Sequence, residues 1–177
     1  MPGPFEATTI ITERLVLHPL RVEDADEMAI ALDDPALHEF IGGQPATVEE
    51  LRDRYAAWVR GSGSTDEAWL NWIVRLGADD VAIGAVQATI IDPAATPTAA
   101  VAWTIGVPWQ GHGFAGEAGI ALVQWLVARG VTSVVAHVHP DHRASASVAA
   151  RVGLRPTDVV VDGEVEWRLE PPVLDLS

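Results

Sequence analysis

The stretch Trp109-Gln110-Gly111-His112-Gly113-Phe114-Ala115-Gly116-Glu117-Ala118 constrains this chain most. It sets a glycine-studded loop directly before the apolar segment Ile120 to Val127, which reads as a largely buried helix with Gly130 placed to end it. A run of backbone N–H groups where a helix begins is a ready anion site, and a pyrophosphate would suit it. The flanking strands decide the topology. Thr98 to Ile105 precedes the loop and the β-branched run Ser133 to Val138 follows the helix, so these two strands should lie parallel through a right-handed crossover.

The rest of the chain is organised around that unit. Arg14 to Leu20 reads as a strand buried on both faces, and Val22, Ala25, Met28, Ala29 and Leu32 recur at helical spacing until Asp33-Asp34-Pro35. The capping box Thr47-Val48-Glu49-Glu50 opens a second helix, whose apolar stripe is Val48, Leu51, Tyr55, Trp58 and Val59. Trp69 to Leu76, Val81 to Ile91 and Thr98 to Ile105 are strands joined by short turns, which predicts an antiparallel meander. Ala144, Val148 and Val152 mark a last helix ended by Gly153. Asp162-Gly163 turns Val159-Val160-Val161 back onto Val165-Glu166-Trp167 as a type I′ hairpin. The expected fold is α+β, a mixed and mostly antiparallel sheet of about seven strands with about four helices. There is no internal repeat, and residues 1–177 are expected to form one domain.

Charge narrows the partners. With 25 acidic residues against 11 basic ones the net charge is -14, so nucleic acid is an unsuitable partner and a cationic small molecule or basic peptide a suitable one. No run approaches the roughly 18 apolar residues of a membrane span, and Met1-Pro2-Gly3-Pro4-Phe5-Glu6 lacks the pattern of a secretory signal. The absence of cysteine rules out disulfides and fits a cytoplasmic location.

Three sets of residues carry a resemblance. Gln110-Gly111-His112-Gly113-Phe114-Ala115 fits the loop signature Gln/Arg-x-x-Gly-x-Gly/Ala; His142-Arg143-Ala144-Ser145 with Gly153-Leu154 stands where a related branch carries Asn-x-x-Ser and then Gly-Phe; and Thr12-Glu13-Arg14-Leu15-Val16-Leu17 is similar to that branch's first strand. Together they resemble the GNAT superfamily of acyl-CoA-dependent N-acyltransferases, in its branch of ribosomal-protein N-terminal acetyltransferases, over essentially the whole chain. The departures are His142 in place of Asn and Leu154 in place of Phe.

The resemblance implies an N-acetyltransferase using acetyl-CoA and no metal, with a splayed strand pair at the cofactor site. The main chain of Ile105, Gly106 and Val107 would pair with the pantetheine arm. Gln110, Gly111, His112, Gly113, Phe114, Ala115 and Gly116 would form the pyrophosphate loop. His142 and Ser145 would also contact the cofactor, and Ser145 is the expected acid for the departing thiolate. A thioester is already activated, so alignment of a neutral amine and stabilisation of the oxyanion are the main chemical needs. The base carries no motif: His38, Asp92, His137 and a water chain are all open, while Glu117 suits the helix dipole. Trp58, Trp69, Trp72 and Trp103 are candidates for an aromatic acceptor pocket or for the core.

Two other readings compete. His137-Val138-His139-Pro140-Asp141-His142 spells a dinuclear zinc-hydrolase signature, but no histidine follows His142 to complete it. A non-catalytic acyl-CoA-binding module keeps the fold without the chemistry. The acceptor amine stays unnamed, as a small molecule or a protein N-terminus, and the C-terminal hairpin offers an edge for a homodimer.

Overall fold

The computed structural model describes residues 5–169; residues 1–4, most of the N-terminal segment read for a signal, lie outside them, as do 170–177. Helices α1 (Asp24–Ala31), α2 (Val48–Arg60), α3 (Phe114–Ala128) and α4 (Arg143–Val152) flank one sheet. Its strands are β1 (Ile10–Ile11), β2 (Leu15–Pro19), β3 (Glu67–Leu76), β4 (Ala82–Ile91), β5 (Thr98–Ile105), β6 (Ser133–Val138), β7 (Arg155–Val161) and β8 (Glu164–Leu169). They lie in the order β1-β2-β3-β4-β5-β6-β8-β7. Every neighbouring pair is antiparallel except β5 and β6, which are parallel as the crossover requires.

The mixed α+β fold is as expected, with eight strands in place of seven. The added one, β1, is two residues long and pairs Ile10 with Leu17 and Ile11 with Val16. A strand that short has no periodicity to read. β2 is fully buried on one face only, through Leu15 and Leu17, while Val16 and His18 are half-buried. α1 begins at Asp24, because Val22 forms part of the turn that leads into it. The α2 capping box is complete, with Thr47 Oγ1 accepting from Glu50 N–H and Glu50 accepting from Thr47 N–H. Its stripe is narrower than read, since Val59 is 58% exposed. The hairpin turn has Asp162 at φ 51° and Gly163 at φ 82°, the double left-handed geometry of a type I′ turn.

Two cores hold the layers together. On one face Leu15, Leu17, Trp72, Val86, Ile90 and Val134 meet Leu122 and Leu126 of α3. Burying each such side chain contributes about 1.5–3 kcal/mol. On the opposite face Met28, Leu51 and Tyr55 pack α1 and α2 onto Ile73 and Ala82. α1 and α2 therefore share one side of the sheet and α3 and α4 the other. Among the described residues no helix is long and apolar enough to cross a membrane.

Candidate active site

The sheet opens between its parallel strands. β5 and β6 pair only from Thr98 with Ser133 to Ala100 with Val135, yet β5 continues to Ile105 and β6 to Val138. Past Ala100 the strands part, which is the splay that the resemblance implied. Gly106 N–H donates to Ile83 C=O on β4. Antiparallel bonding alternates, so the main-chain groups of Trp103 and Ile105 turn away from β4 and into the opening. Ile105 C=O accepts from Gln110 Nε2 at 2.9 Å, which ties the loop back to the strand end. Gly106 C=O accepts from Trp109 N–H and Val107 C=O from Gln110 N–H. Of the Ile105 to Val107 main chain, Gly106 thus serves the fold while Ile105 borders the opening.

The loop that follows is built to leave donors free. Gly111 and Gly113 both sit at φ +80°, a left-handed conformation that glycine adopts without steric cost, and Gly113 caps α3. The helix begins at Phe114, so Ala115 and Gly116 lie in its first turn. The backbone N–H groups from Gly111 to Gly116 make no hydrogen bond with another group among the described residues. The carbonyls are held instead: Arg14 Nη1 donates to His112 C=O at 2.9 Å and Arg151 Nη1 to Gly113 C=O at 3.3 Å. A loop pinned by its carbonyls from one side presents its amides to the other. That cradle, with two guanidinium groups beside it, fits a pyrophosphate.

Glu117 holds Arg14 in place. Its carboxylate accepts from Arg14 Nε at 2.7 Å, from Arg14 N–H at 3.0 Å and from Thr12 Oγ1 at 2.5 Å. Burial pushes the Glu117 pKa up, but the bonds from Thr12 and Arg14 outweigh it and hold the carboxyl below its ordinary value. Glu117 is therefore an anchor for the loop. Phe114 lies under the Arg14 guanidinium, 4.5 Å from carbon to ring centre, with its other stacking partner, His112, at 5.7 Å. His112 is exposed and its Nδ1 lies 3.2 Å from Trp109 C=O.

At the C-terminal end of β6, His142 caps α4. Its Nδ1 accepts from Ser145 N–H at 3.3 Å, the bond an Asn cap would make, and its ring stacks on Phe40 at 4.4 Å. With Nδ1 an acceptor, the neutral ring carries its proton on Nε2 and keeps a donor. The Ser145 hydroxyl is half-buried and makes no hydrogen bond with another described residue. Burial pushes the His142 pKa below the ordinary 6.5, His139 adds to this, and Glu39 opposes it. The folded state thus disfavours protonation, so stability is full above about pH 6.5 and falls as the pH drops from there through the lowered folded pKa. The difference in unfolding midpoint between His142→Asn and the parent protein should shift in favour of the variant as the pH is lowered across that window. A difference independent of pH would remove burial of the imidazole as the cause.

The zinc signature is not assembled. His137 lies 3.8 Å from Glu166, His139 Nδ1 accepts from Asp141 N–H, and His142 is taken by α4. Among the described residues no three such side chains converge as metal ligands. The tryptophans divide. Trp72 is fully buried, donating to Thr8 C=O and lying edge-on to Trp125; Trp103 packs against the main core. Trp58 and Trp69 line a cavity of about 130 Å³ with Asn71, Gln87 and Thr89. Arg151 had no sequence signal beyond its charge in the last turn of α4.

Residues 14–155 match the family model described as an acetyltransferase (GNAT) domain. No curated protein sequence gives a significant match. Among solved structures, an acetyltransferase from Agrobacterium tumefaciens superimposes with a TM-score of 0.69 at 26% identity, covering 94% of this chain and 96% of that one. A Vibrio cholerae protein provisionally named a ribosomal-protein-serine acetyltransferase gives 0.70 at 19% identity, over 96% and 100%. A microcin C7 self-immunity acetyltransferase in complex with acetyl-CoA and AMP gives 0.72 at 16% identity, over 90% and 93%. With a family model covering most of its length and an open, splayed sheet of the same shape as these enzymes, the chain belongs to the GNAT family of acetyltransferases.

Proposed function

We propose that this protein transfers an acetyl group from acetyl-CoA to a primary amine by direct attack within a ternary complex. The observation that carries the reading is the main chain of Trp103 and Ile105 facing the opening, followed along the chain by the N–H groups of Gly111 to Gly116, which are unpartnered among the described residues. Bound acetyl-CoA supplies an activated thioester. The loop amides take the pyrophosphate, with Gln110 fixing the loop to β5 and Arg14 and Arg151 fixing its carbonyls. The Trp103 and Ile105 main chain orients the pantetheine as an added strand would. His142 offers Nε2–H from its capped position, and the Ser145 hydroxyl holds the proton that the departing sulfur needs.

The net charge of -14 favours a cationic acceptor, either a small amine or a protein N-terminus, in a cytoplasmic setting. The edge strand β7, with Val159, Val160 and Val161 exposed, is the surface on which a homodimer would form. Thiol release from acetyl-CoA, measured against a panel of amines and N-terminal peptides, tests the enzyme. Binding of acetyl-CoA without turnover of any acceptor would make it a binding module. Ser145→Ala should lower kcat by about 100-fold and acetyl-CoA affinity far less. Equal losses in both would assign Ser145 a structural part at the start of α4.

A further inference from the structure

We infer that His137 is the general base that removes the proton from the acceptor ammonium, working from the α1 and α2 side of the sheet; this rests on the N-acetyltransferase reading. On β6 the residues Val134, Ala136 and Val138 are buried in the main core, so His137 points to the other face. It lies two residues beyond Val135, the last β6 residue paired with β5, and so stands on the lip of the opening. The facing strand carries Ala100, Ala102 and Thr104 on this side, small side chains of which Ala102 and Thr104 are exposed. The same face continues across the sheet through Gln87 and Asn71, which pair in register with Ala102. The opposite face is filled by α3, so an amine has access to the opening from the His137 side.

The other candidates are placed away from this lip or already engaged. Asp92 turns the β4–β5 connection at the far end of β5, where its carboxylate accepts from Thr96 N–H. His38 Nδ1 lies 3.1 Å from Gly42 C=O in the loop between α1 and α2. Glu117 is held by Thr12 and Arg14 on the α3 side.

His137 stands beside a carboxylate. Its cross-strand partner on β8 is Glu166, buried at 8% exposure, with a carboxylate oxygen 3.8 Å from Nε2. Arg168 holds the other oxygen of that carboxylate, and His139 follows His137 by two positions along the chain; β5 presents no titratable group on this face. The imidazole side chain is about one-third exposed at 34%, so water reaches it. In the step, an ammonium acceptor gives one proton to the neutral imidazole; the amine that remains uses its freed electron pair to form the N–C bond as the C–S bond breaks, and the second proton that leaves the nitrogen as the amide forms replaces the one Ser145 gives to the departing sulfur. The imidazolium, beside the Glu166 carboxylate, then loses the proton to water.

Thiol release should be followed for His137→Ala and His137→Gln with a strongly basic amine and with a weakly basic one that is already neutral at the assay pH. With the basic amine, kcat should fall by about 100-fold, the acid limb of the kcat/KM profile should flatten, and added imidazole should restore part of the rate to His137→Ala. With the weakly basic amine the loss should stay within about threefold. Calorimetry should give an unchanged acetyl-CoA affinity. Equal losses for both amines, or an acid limb that survives both substitutions, would overturn the assignment of His137. A parent protein that binds acetyl-CoA but turns over no amine would overturn the enzyme reading itself, and this inference with it.

Discussion

Gly113→Val is expected to weaken acetyl-CoA binding by about 100-fold, while Gly111→Ala weakens it by about tenfold. The pair separates two physical causes. Both glycines sit at φ +80°, so each substitution carries the strain of a left-handed residue, roughly 1–2 kcal/mol. A Cβ on Gly111 would meet nothing within 4 Å, whereas one on Gly113 would lie 2.8 Å from Arg151 Nη1 and 3.5 Å from Arg14 Nη2. The valine must therefore displace the guanidinium that holds the Gly113 carbonyl, and the amides lose their fixed direction. Arg151→Ala should reproduce the part of the loss that exceeds Gly111→Ala, without backbone strain. Isothermal titration with acetyl-CoA reads all three variants. Equal losses at the two glycines would reduce the effect to strain alone, and parent-like affinity in Gly113→Val would remove the loop as the anion site.

That loop also marks what could be read from residues alone. Thr98–Ile105 and Ser133–Val138 were legible to the residue, because turn chemistry and β-branched runs are local signals. The glycine loop and the Ser145 to Gly153 spacing are local too, and they led to the family. The carbonyl clamp was not legible. Arg14 and Arg151 come from β2's leading turn and the last turn of α4, and only the packed fold brings both to Gly113. The His142 departure from Asn proved conservative in function as a cap, since Nδ1 accepts the same helix N–H; its stacking on Phe40 depends on a loop that carries no periodic signal. His38, Asp92, His137 and a water chain looked equal in sequence because none has a motif. The strand register puts Asp92 at one end of β5 and His137 across the opening at the other, while His38 lies in the connection between α1 and α2.

The second large effect is on stability. Arg75→Met should destabilise the fold by about 3 kcal/mol in urea unfolding, because it strands a buried charge. Arg75 is 9% exposed on β3 and donates to Glu27 at 2.9 Å, to Asp24 at 3.2 Å and to Asp80 C=O at 2.8 Å. Among the described residues Asp24, at 4% exposure, has beyond this only Arg21, whose backbone N–H donates to it at 2.7 Å and whose exposed guanidinium lies 3.8 Å away. Glu27 also accepts from Ala82 N–H at 2.7 Å, and burial, which raises its pKa, is outweighed by the bonds from Ala82 and Arg75. If the stranded carboxylate is the cause, Asp24→Asn in the Arg75→Met background should recover more than half of the loss. A double variant no more stable than the single one would place the cost in lost packing of the Arg75 stem. The clamp bears on the proposed site through α1, whose Ala31 carbonyl lies where a Cβ on Gly106 would be, at the entry to the glycine loop. A loosened α1 thus leaves the loop's entry less defined, so saturating acetyl-CoA, which binds only the folded form, should raise the unfolding midpoint of Arg75→Met less than that of the parent protein.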